Sequence, residues 1–574
     1  MNRKNLTAAV LAGLAGAAGI AGTAQAVNIN PDGLGQVLIY PYYTSRGGNQ
    51  TLLSVVNTTE DAKAVKVRFL EGYNSREVLD FNMYMSAYDV WVAAIADDGA
   101  GTPTLYIPDS TCTVPYLFEQ DSDGDGVGEQ AFLPFAYTGA NEDGGPTDIA
   151  RASEGHFEMI EMGNVNNETE TAKRLGSASA ATHIVTEDGP RPRDCQQLVD
   201  NWTIFGVGPD GMWIMDESLD IERGNGGLFG GAAVVNVNEG TMYSYDARAI
   251  QGYDNSDDAH LHFVPGDVQP GLNDGNRTDA TVFFGEPLAE AVTLSYPRGV
   301  DAVSAVFMKE NIMNEYNIEA GLNALSEWVI TFPTKNFYVD PTMAPTAAFF
   351  TPDPSDPGCN GWDPGEPYPS DARSDGTTTD PDWQQCQFVE NTEFINFPFT
   401  SVFNGEACEL AFLSVWNREE SPVGPPGNIP PIVSPPPPGG SPGGSFTLCY
   451  ETNVMRFGND DVPAEGSEIL KSDAATVRNV TLPPDHQNGW ANIGFAYNDS
   501  EGIPVHRDWA GLIGLPVTGF WAQTFENGFL FGGTVLANYG GLFDHKANIR
   551  RQVCPPPAEG QGNSRLCDIR IGSD

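Results

Sequence analysis

In AVKVRFLEG, Val65, Val67 and Phe69 alternate with Lys66 and Arg68, the period of two that puts one set of side chains on each face of a half-buried strand. VLDFNMYMS repeats the alternation, with Leu79, Phe81, Met83 and Met85 set against Asp80, Asn82, Tyr84 and Ser86. Turn chemistry accompanies the strands. VVNVNEGTMYSY places Asn238-Glu239-Gly240 between two strand-like runs, and WAQTFENGFLFGG places Asn527-Gly528 in the same role, glycine supplying the positive φ of a tight hairpin. Helical stripes are scarce. The best helix candidate, FMKENIMNEYNIEAGLNALSEW, is interrupted by Gly321 and lies between β-like DAVSAVF and WVITFPTKNFYV. The pattern predicts an all-β protein of two or three immunoglobulin-like antiparallel β-sandwich modules with long Pro/Gly/Asp-rich loops.

At about 150 residues per domain, 574 residues allow two to four domains. The expected division is a leader over 1–26, an N-terminal β-sandwich over 27–150, a central β domain over 151–345, a polar loop region over 346–400, a C-terminal β-sandwich over 401–550 and a tail over 551–574. SPVGPPGNIPPIVSPPPPGGSPGGS, residues 421–445, cannot pack as helix or strand, because proline lacks a donor and glycine is costly to order. It reads as a linker, or as an exposed insert if Cys408 and Cys449 staple its ends. LLSVVNTTED from Leu52 and FLSVWNREES from Phe412 agree at Leu, Ser, Val, Asn and Glu in identical spacing, which suits two related sandwich modules.

The first residues change the picture from architecture to location. Arg3 and Lys4 precede an apolar run from Ala8 to Ala21 and a closing Ala24-Gln25-Ala26, the layout of a secretory signal peptide cut after Ala26. The run is short for a membrane span. A secreted product, extracellular or at the cell surface, is expected, with the periplasm as the alternative and no membrane span after the leader is removed. The formal charge of −48 becomes more negative on losing Arg3 and Lys4, which disfavours nucleic acid and anionic lipid as partners. All eight cysteines follow the leader, at 112, 195, 359, 386, 408, 449, 554 and 567. An even count in an exported chain without CxxC points to disulfides. Pairing of neighbours is expected: Cys112 with Cys195, Cys359 with Cys386, Cys408 with Cys449 and Cys554 with Cys567.

The sharpest chemistry lies in DSDGDGVGEQ. Asp121, Asp123 and Asp125 alternate ahead of Gly126, Val127 can add a carbonyl, and Glu129 takes the ninth position. Calcium needs six to eight oxygens at one point, and a turning backbone with alternate carboxylates supplies them. The glutamate that an EF-hand carries at the twelfth position is replaced by Phe132, and the flanks TVPYLF and AFLPFAY are strand-like or extended. The loop resembles the calcium-binding loops of dockerin and thrombospondin-repeat families, a likeness carried by DSDGDGVGE alone. It implies calcium as a structural cofactor on Asp121, Asp123, Asp125, Val127 and Glu129; a solvated acidic turn is the alternative.

Other motifs carry less. His260 and His262 in DDAHLHF sit two apart beside Asp257 and Asp258 with no third ligand in sight. GVGPDG, residues 206–211, satisfies GxGxxG but enters a turn with no helix after it. GxSxG occurs only as GGSPG, residues 439–443 of the Pro/Gly-rich run, which cannot build the strand-to-helix elbow, and HExxH is absent. Trp202, Trp213, Trp490, Trp509 and Trp521 either fill the core or offer faces for sugars. The stretches GQVLIYPYYTSRGGNQTLLSVVNTT, EGHFEMIEMG, GGLFGGAAVVNV and WVITFPTKNFYVD resemble a family of secreted, β-rich proteobacterial surface proteins, a likeness that implies export and brings no activity. The expected role is an exported, non-enzymatic structural or adhesive component of the cell surface or matrix, with other surface components or a second copy as partner. The alternative is a carbohydrate-binding or glycan-active protein.

Overall fold

The alternating strands of the N-terminal half assemble into two facing sheets. In the computed structural model, which describes residues 26–166, 177–186, 189–256, 260–285, 290–342, 349–352, 388–391, 398–399, 401–423, 445–495, 506, 508, 510–530, 535–553 and 568–573, the first sheet has eight strands. Its order is Asn28–Ile29, Arg248–Gln251, Val37–Thr44, Glu154–Val165, Ala62–Glu71, Glu77–Met85 and Cys112–Val114, with Ile221–Glu222 added to the end of Glu154–Val165. The facing sheet has six: Thr241–Asp246, Leu228–Asn236, Asn49–Asn57, Val90–Asp97, Pro103–Ile107 and Gly128–Ala131. Val65, Val67, Phe69, Phe81 and Met83 from the first sheet pack with Leu53, Val55, Trp91 and Ile95 from the second in one apolar core.

The eight-stranded sheet is covered on its other face as well, where the alternation predicts solvent. There Ala64, Ile39 and Ile160 join the helix Gly299–Phe307, the helix Cys195–Asn201 and the hairpin Asp279–Phe284 with Glu290–Ser295 in a second core. Lys66 and Arg68 are therefore interior, at 0% and 4% exposure. The layer is tolerable because each charge has a partner across the strands. Lys66 pairs with Asp80 and donates to the Asp267 carbonyl at 2.7 Å, while Arg68 meets Glu77 at 2.7 Å and Glu158 at 2.6 Å. A buried charge without such a partner is strongly destabilising.

The helix candidate over 307–328 is instead strand: Asn311–Asn317 and Ala324–Thr331, joined through a short turn that ends on Asn323 at φ +45°. The helix lies one segment earlier, at Gly299–Phe307, in what reads as β-like DAVSAVF, and all nine of its residues are buried. Its two polar side chains, Asp301 and Ser304, share one face on the Tyr338 hydroxyl, but two polar positions in nine residues are too few to set a helical period apart from a short apolar run.

The second sandwich pairs a seven-stranded sheet with a five-stranded one. The seven are Ser445–Leu448, Glu409–Asn417, Asn488–Gly494, Asn311–Asn317, Lys546–Val553 and Leu512–Ile513, with Asp568–Ser573 beside Lys546–Val553; the five are Arg478–Thr481, Thr452–Gly458, Ala324–Thr331, Thr518–Leu530 and Val535–Asp544. Asn238-Glu239-Gly240 does turn between Leu228–Asn236 and Thr241–Asp246. Asn527-Gly528 does not. Thr518–Leu530 runs through it, and the register shifts between Glu526 and Phe529, the bulge that glycine in a strand often marks.

The repeated LSV-x-N segments hold equivalent places. Asn57 and Asn417 each close a strand, accept from the backbone N–H two residues on (Thr59 and Glu419, both 3.0 Å), and donate to a carbonyl just ahead of the neighbouring strand (Ser86 at 2.8 Å, Asp485 at 3.2 Å). Sheet pairing crosses the boundaries expected after 150 and 345: Glu154–Val165 lies between Val37–Thr44 and Ala62–Glu71, and Asn311–Asn317 pairs with Asn488–Gly494. The five-stranded sheet lays Val329, Val454, Phe520 and Ala522 into the core of the first sandwich, with Phe520 stacked on Tyr245 at 5.3 Å. Disulfides join Cys112 to Cys195 and Cys408 to Cys449; Cys359, Cys386, Cys554 and Cys567 lie outside the described residues, as do residues 1–25 and most of 346–400 and 421–445. No helix among the described residues is long and apolar enough to cross a membrane.

Candidate functional site

The acidic loop bridges the short turn Leu117–Glu119 and the edge strand Gly128–Ala131, whose Glu129 N–H closes the loop on the Gln120 carbonyl at 2.8 Å. Gly124 and Gly126 sit at φ +82° and +90°, a backbone that glycine adopts without penalty, and so the chain turns twice within six residues. The Asp121 carboxylate accepts from Gly124 N–H at 2.6 Å and Gly126 N–H at 2.9 Å; Asp123 accepts from Asp125 N–H at 3.1 Å and Asp125 from Val127 N–H at 2.8 Å. The bonds from Gly126 and Gly124 hold the Asp121 carboxyl below the usual range. Carboxylate oxygens of Asp121, Asp123 and Asp125 come within 4.8 Å of one another. Glu129 is engaged by the Ser122 hydroxyl, and Val127 contributes its N–H to Asp125. Three converging hard oxygens in an open loop fit calcium better than a soft metal. The other close group of metal-type side chains, Glu406, Cys408 and Cys449, contains the disulfide and so offers no thiolate.

The remaining motifs are not assembled into sites. His262 is buried between the Tyr84 hydroxyl (2.9 Å) and the Glu217 carbonyl (2.7 Å), and burial lowers its pKa to about 4. His260 lies apart beside Asp254, at 3.4 Å, and Asp257 and Asp258 are outside the described residues. Residues 206–211 are followed by a one-turn helix, Met212–Met215, where the sequence predicts none. Trp202 and Trp213 surround His262 in the core; Trp509 lies outside the described residues.

Trp490 is different. It is 41% exposed and stacked on Trp416 at 4.2 Å, with 11° between the rings. The pair is cross-strand, and Glu315 stands opposite Trp490 on the other side. Beside them opens a cleft of ≈ 600 Å³ lined by Trp490, Leu322, Glu315, Glu319, Glu420, Arg418, Asn417 and Gln523. Asn488 donates to Glu319 at 3.0 Å, and Trp521 donates to the Ser326 hydroxyl at 2.6 Å. Gln523 is 7% exposed, and its amide nitrogen has no partner among the described residues. An aromatic face next to carboxylates and amides can stack on and hydrogen-bond one polyhydroxylated ligand. Sequence reasoning singled out Trp490 and Trp521 but not Trp416, Glu315 or Gln523, which only long-range strand pairing brings together. No protein-family model, no curated protein and no solved structure matches this chain.

Proposed function

We propose that the chain is an exported, non-enzymatic structural or adhesive component of the cell surface or extracellular matrix, stiffened by calcium held at Asp121, Asp123, Asp125, Val127 and Glu129. The observation that carries the calcium is the convergence of the three aspartate carboxylates within 4.8 Å. The leader and the two disulfides support export. Cutting after Ala26 would leave the Val27 nitrogen free to keep its 2.8 Å bond to the Asp279 carbonyl. The strong acidity favours partners other than nucleic acid: matrix components, a second copy bridged by divalent ions, or neutral glycans.

The test is calcium titration by calorimetry and thermal melting of the processed protein, beside a variant carrying Asp123→Ala and Asp125→Ala. Saturable binding, expected at about 10⁻⁴–10⁻³ M as in other extracellular modules, with a raised Tm lost in the variant, is the predicted result. Identical behaviour of the two proteins overturns the calcium reading, and recovery only as a free periplasmic monomer overturns the surface reading.

A second reading, glycan binding, is favoured by the Trp490 platform. It predicts oligosaccharide binding by the parent protein that Trp490→Ala weakens about 5- to 150-fold, taking sugar stacking as comparable to the about 1–3 kcal/mol of a base on one aromatic side chain. A glycan array without a single ligand disposes of it.

A further inference from the structure

Lys63 and Glu161 lie on neighbouring strands of the eight-stranded sheet, and both side chains are 0% exposed. The Lys63 nitrogen donates to Glu161 Oε1 at 2.6 Å, to Asn225 Oδ1 at 2.6 Å and to Asn164 Oδ1 at 2.9 Å. Asn225 comes from the loop between Ile221–Glu222 and Leu228–Asn236. That loop is moulded on the carboxylate: Asn225 N–H and Gly226 N–H donate to Glu161 at 3.2 and 2.8 Å, and a Cβ at Gly224 would fall 2.6 Å from Glu161 Cδ. The side-chain amide nitrogen of Asn225 turns the other way, to Asp61 Oδ2 at 2.7 Å on the exposed side.

We propose that this cluster forms an intramolecular amide between Lys63 Nζ and Asn225 Cγ, with Glu161 carrying the protons. An amine, an amide carbonyl and a carboxyl are held in contact, the amine and carboxyl buried and Asn225 at the exposed mouth of the site, where proximity replaces an encounter. Burial favours the carboxylic acid over the carboxylate and pushes the Glu161 carboxyl above the usual range despite the opposing charge of Lys63. In the first step the Lys63 ammonium gives a proton to Glu161. The amine lone pair then forms the Nζ–Cγ bond, and the carbonyl π pair moves to Oδ1. Because Nδ2 faces Asp61 on the exposed side, a solvent water relays the Glu161 proton to it, the Cγ–Nδ2 bond breaks with its electron pair leaving on ammonia, and the carbonyl re-forms. The new amide nitrogen returns its surplus proton to Glu161. The balance is one ammonium, one carboxylate and one primary amide converted to one secondary amide, one ammonia and one carboxylic acid, with no oxidant or co-reactant.

Asn225 is the acceptor rather than Asn164. Asn164 is farther from Nζ, at 2.9 against 2.6 Å, and sits directly opposite Lys63 in register. Asn225-Gly226 is also a dipeptide prone to succinimide formation, but the Gly226 nitrogen that such a ring needs is tied to Glu161. The cross-link would join a strand of the eight-stranded sheet to the loop entering Leu228–Asn236 of the six-stranded sheet, closing one end of the sandwich by a bond that reductants do not open. It goes beyond the calcium and glycan readings and stands or falls separately from both.

Intact mass spectrometry of the purified full chain tests it. The mass is expected to fall short of the sequence mass, after disulfides, by one ammonia, and a tryptic digest of the reduced protein to yield a branched peptide linking Lys63 to Asn225. Lys63→Arg and Asn225→Ala should each restore the full mass, with folding checked by near-UV circular dichroism; the branched peptide from the unaltered protein needs no variant to fold. A full mass in the unaltered protein overturns the proposal. So does a deficit that persists in Lys63→Arg, which marks a succinimide, and so does a branch that maps to Asn164.

Discussion

Replacing Arg151 by methionine tests whether buried ion pairs hold the two sandwiches in one body. Arg151 is 2% exposed. Its guanidinium forks onto Glu71 (2.8 and 3.0 Å) and onto Asp143 (2.8 and 2.7 Å), and lies 4.4 Å from the centre of the Tyr137 ring. Asn74 and Arg76 extend the network from the first sandwich to Asp340 beyond it, at 2.7 and 2.8 Å. Methionine fills similar volume but strands two carboxylates whose side chains are 0% and 4% exposed. Removing one partner of a buried pair costs about 3–5 kcal/mol. The lower half of that range applies, because Glu71 keeps three backbone donors, Tyr73, Asn74 and Arg76 at 2.7, 3.0 and 2.9 Å. At about 2–4 °C per kcal/mol for a unit of this size, Tm should drop by about 6–16 °C near neutral pH. The deficit must also shrink in acid. Burial alone would raise the Asp143 carboxyl, but bonds and charge from Arg151 outweigh it and hold it below the usual range. A depressed carboxyl contributes stability above its unfolded pKa and loses it as pH falls through the folded one; without Arg151 there is less to lose. Scanning calorimetry of both proteins from about pH 7 down to about pH 2, through the unfolded carboxyl pKa of about 3.9, reads this directly. A Tm within about 2 °C of the parent at neutral pH, or a deficit constant across the range, refutes the reasoning.

Two further outcomes follow from buried groups. Glu327, 1% exposed, accepts from Ile469 and Leu470 N–H at 3.0 and 2.9 Å, and burial pushes its carboxyl from 4.5 up to about 7. A raised acid gives its stabilisation below the unfolded pKa and loses it as pH rises, so Glu327→Gln should gain on the parent between pH 4.5 and about 7 and then level off; a Tm difference with the opposite slope defeats this. Cys112→Ser with Cys195→Ser opens a link spanning 83 residues, and loss of about 4–5 kcal/mol is expected from chain entropy. Denaturant unfolding with midpoint and m-value both fitted would measure it, m rising as the unfolded chain expands, and a loss under about 1 kcal/mol would show that the bond hardly restricts the unfolded chain.

The sequence was legible where the signal was local. Alternate aspartates with glycines at 124 and 126 form the loop that their spacing predicts, because carboxylate-to-backbone bonds within six residues need no distant partner. Val65, Val67 and Phe69 do face one core. The same strand misled through Lys66 and Arg68: alternation reports polarity, and whether a polar face meets water or opposite charge is decided by strands far away in the chain. Gly299–Phe307 escaped detection because nine mostly apolar residues with valines at 300, 303 and 306 cannot be told from a buried strand by periodicity alone. Lys63, Glu161 and Asn225 are separated by 98 and 162 positions from Lys63, and Trp416 meets Trp490 only through pairing. No local pattern encodes such contacts.

The distribution of charge yields a last prediction. The chain has 77 acidic residues against 29 Lys and Arg, yet among the described residues seven cations are buried: Lys63, Lys66, Arg68, Arg151, Lys309, Lys335 and Arg456. Cations spent on interior pairs are withdrawn from the surface, where the acidic excess repels itself. Salt acts on these two populations differently. Buried pairs are screened little, whereas surface repulsion falls as the Debye length shortens from about 10 Å at 0.1 M to about 3 Å at 1 M. Tm should therefore rise with sodium chloride over that range and level off. Calcium chloride at matched ionic strength should add a further rise that Asp123→Ala with Asp125→Ala removes while leaving the sodium response intact. A Tm that falls with sodium chloride would mean that exposed ion pairs such as Arg248 with Asp544 outweigh the repulsion, and the acidity would then be a property of local pairs rather than of the surface as a whole.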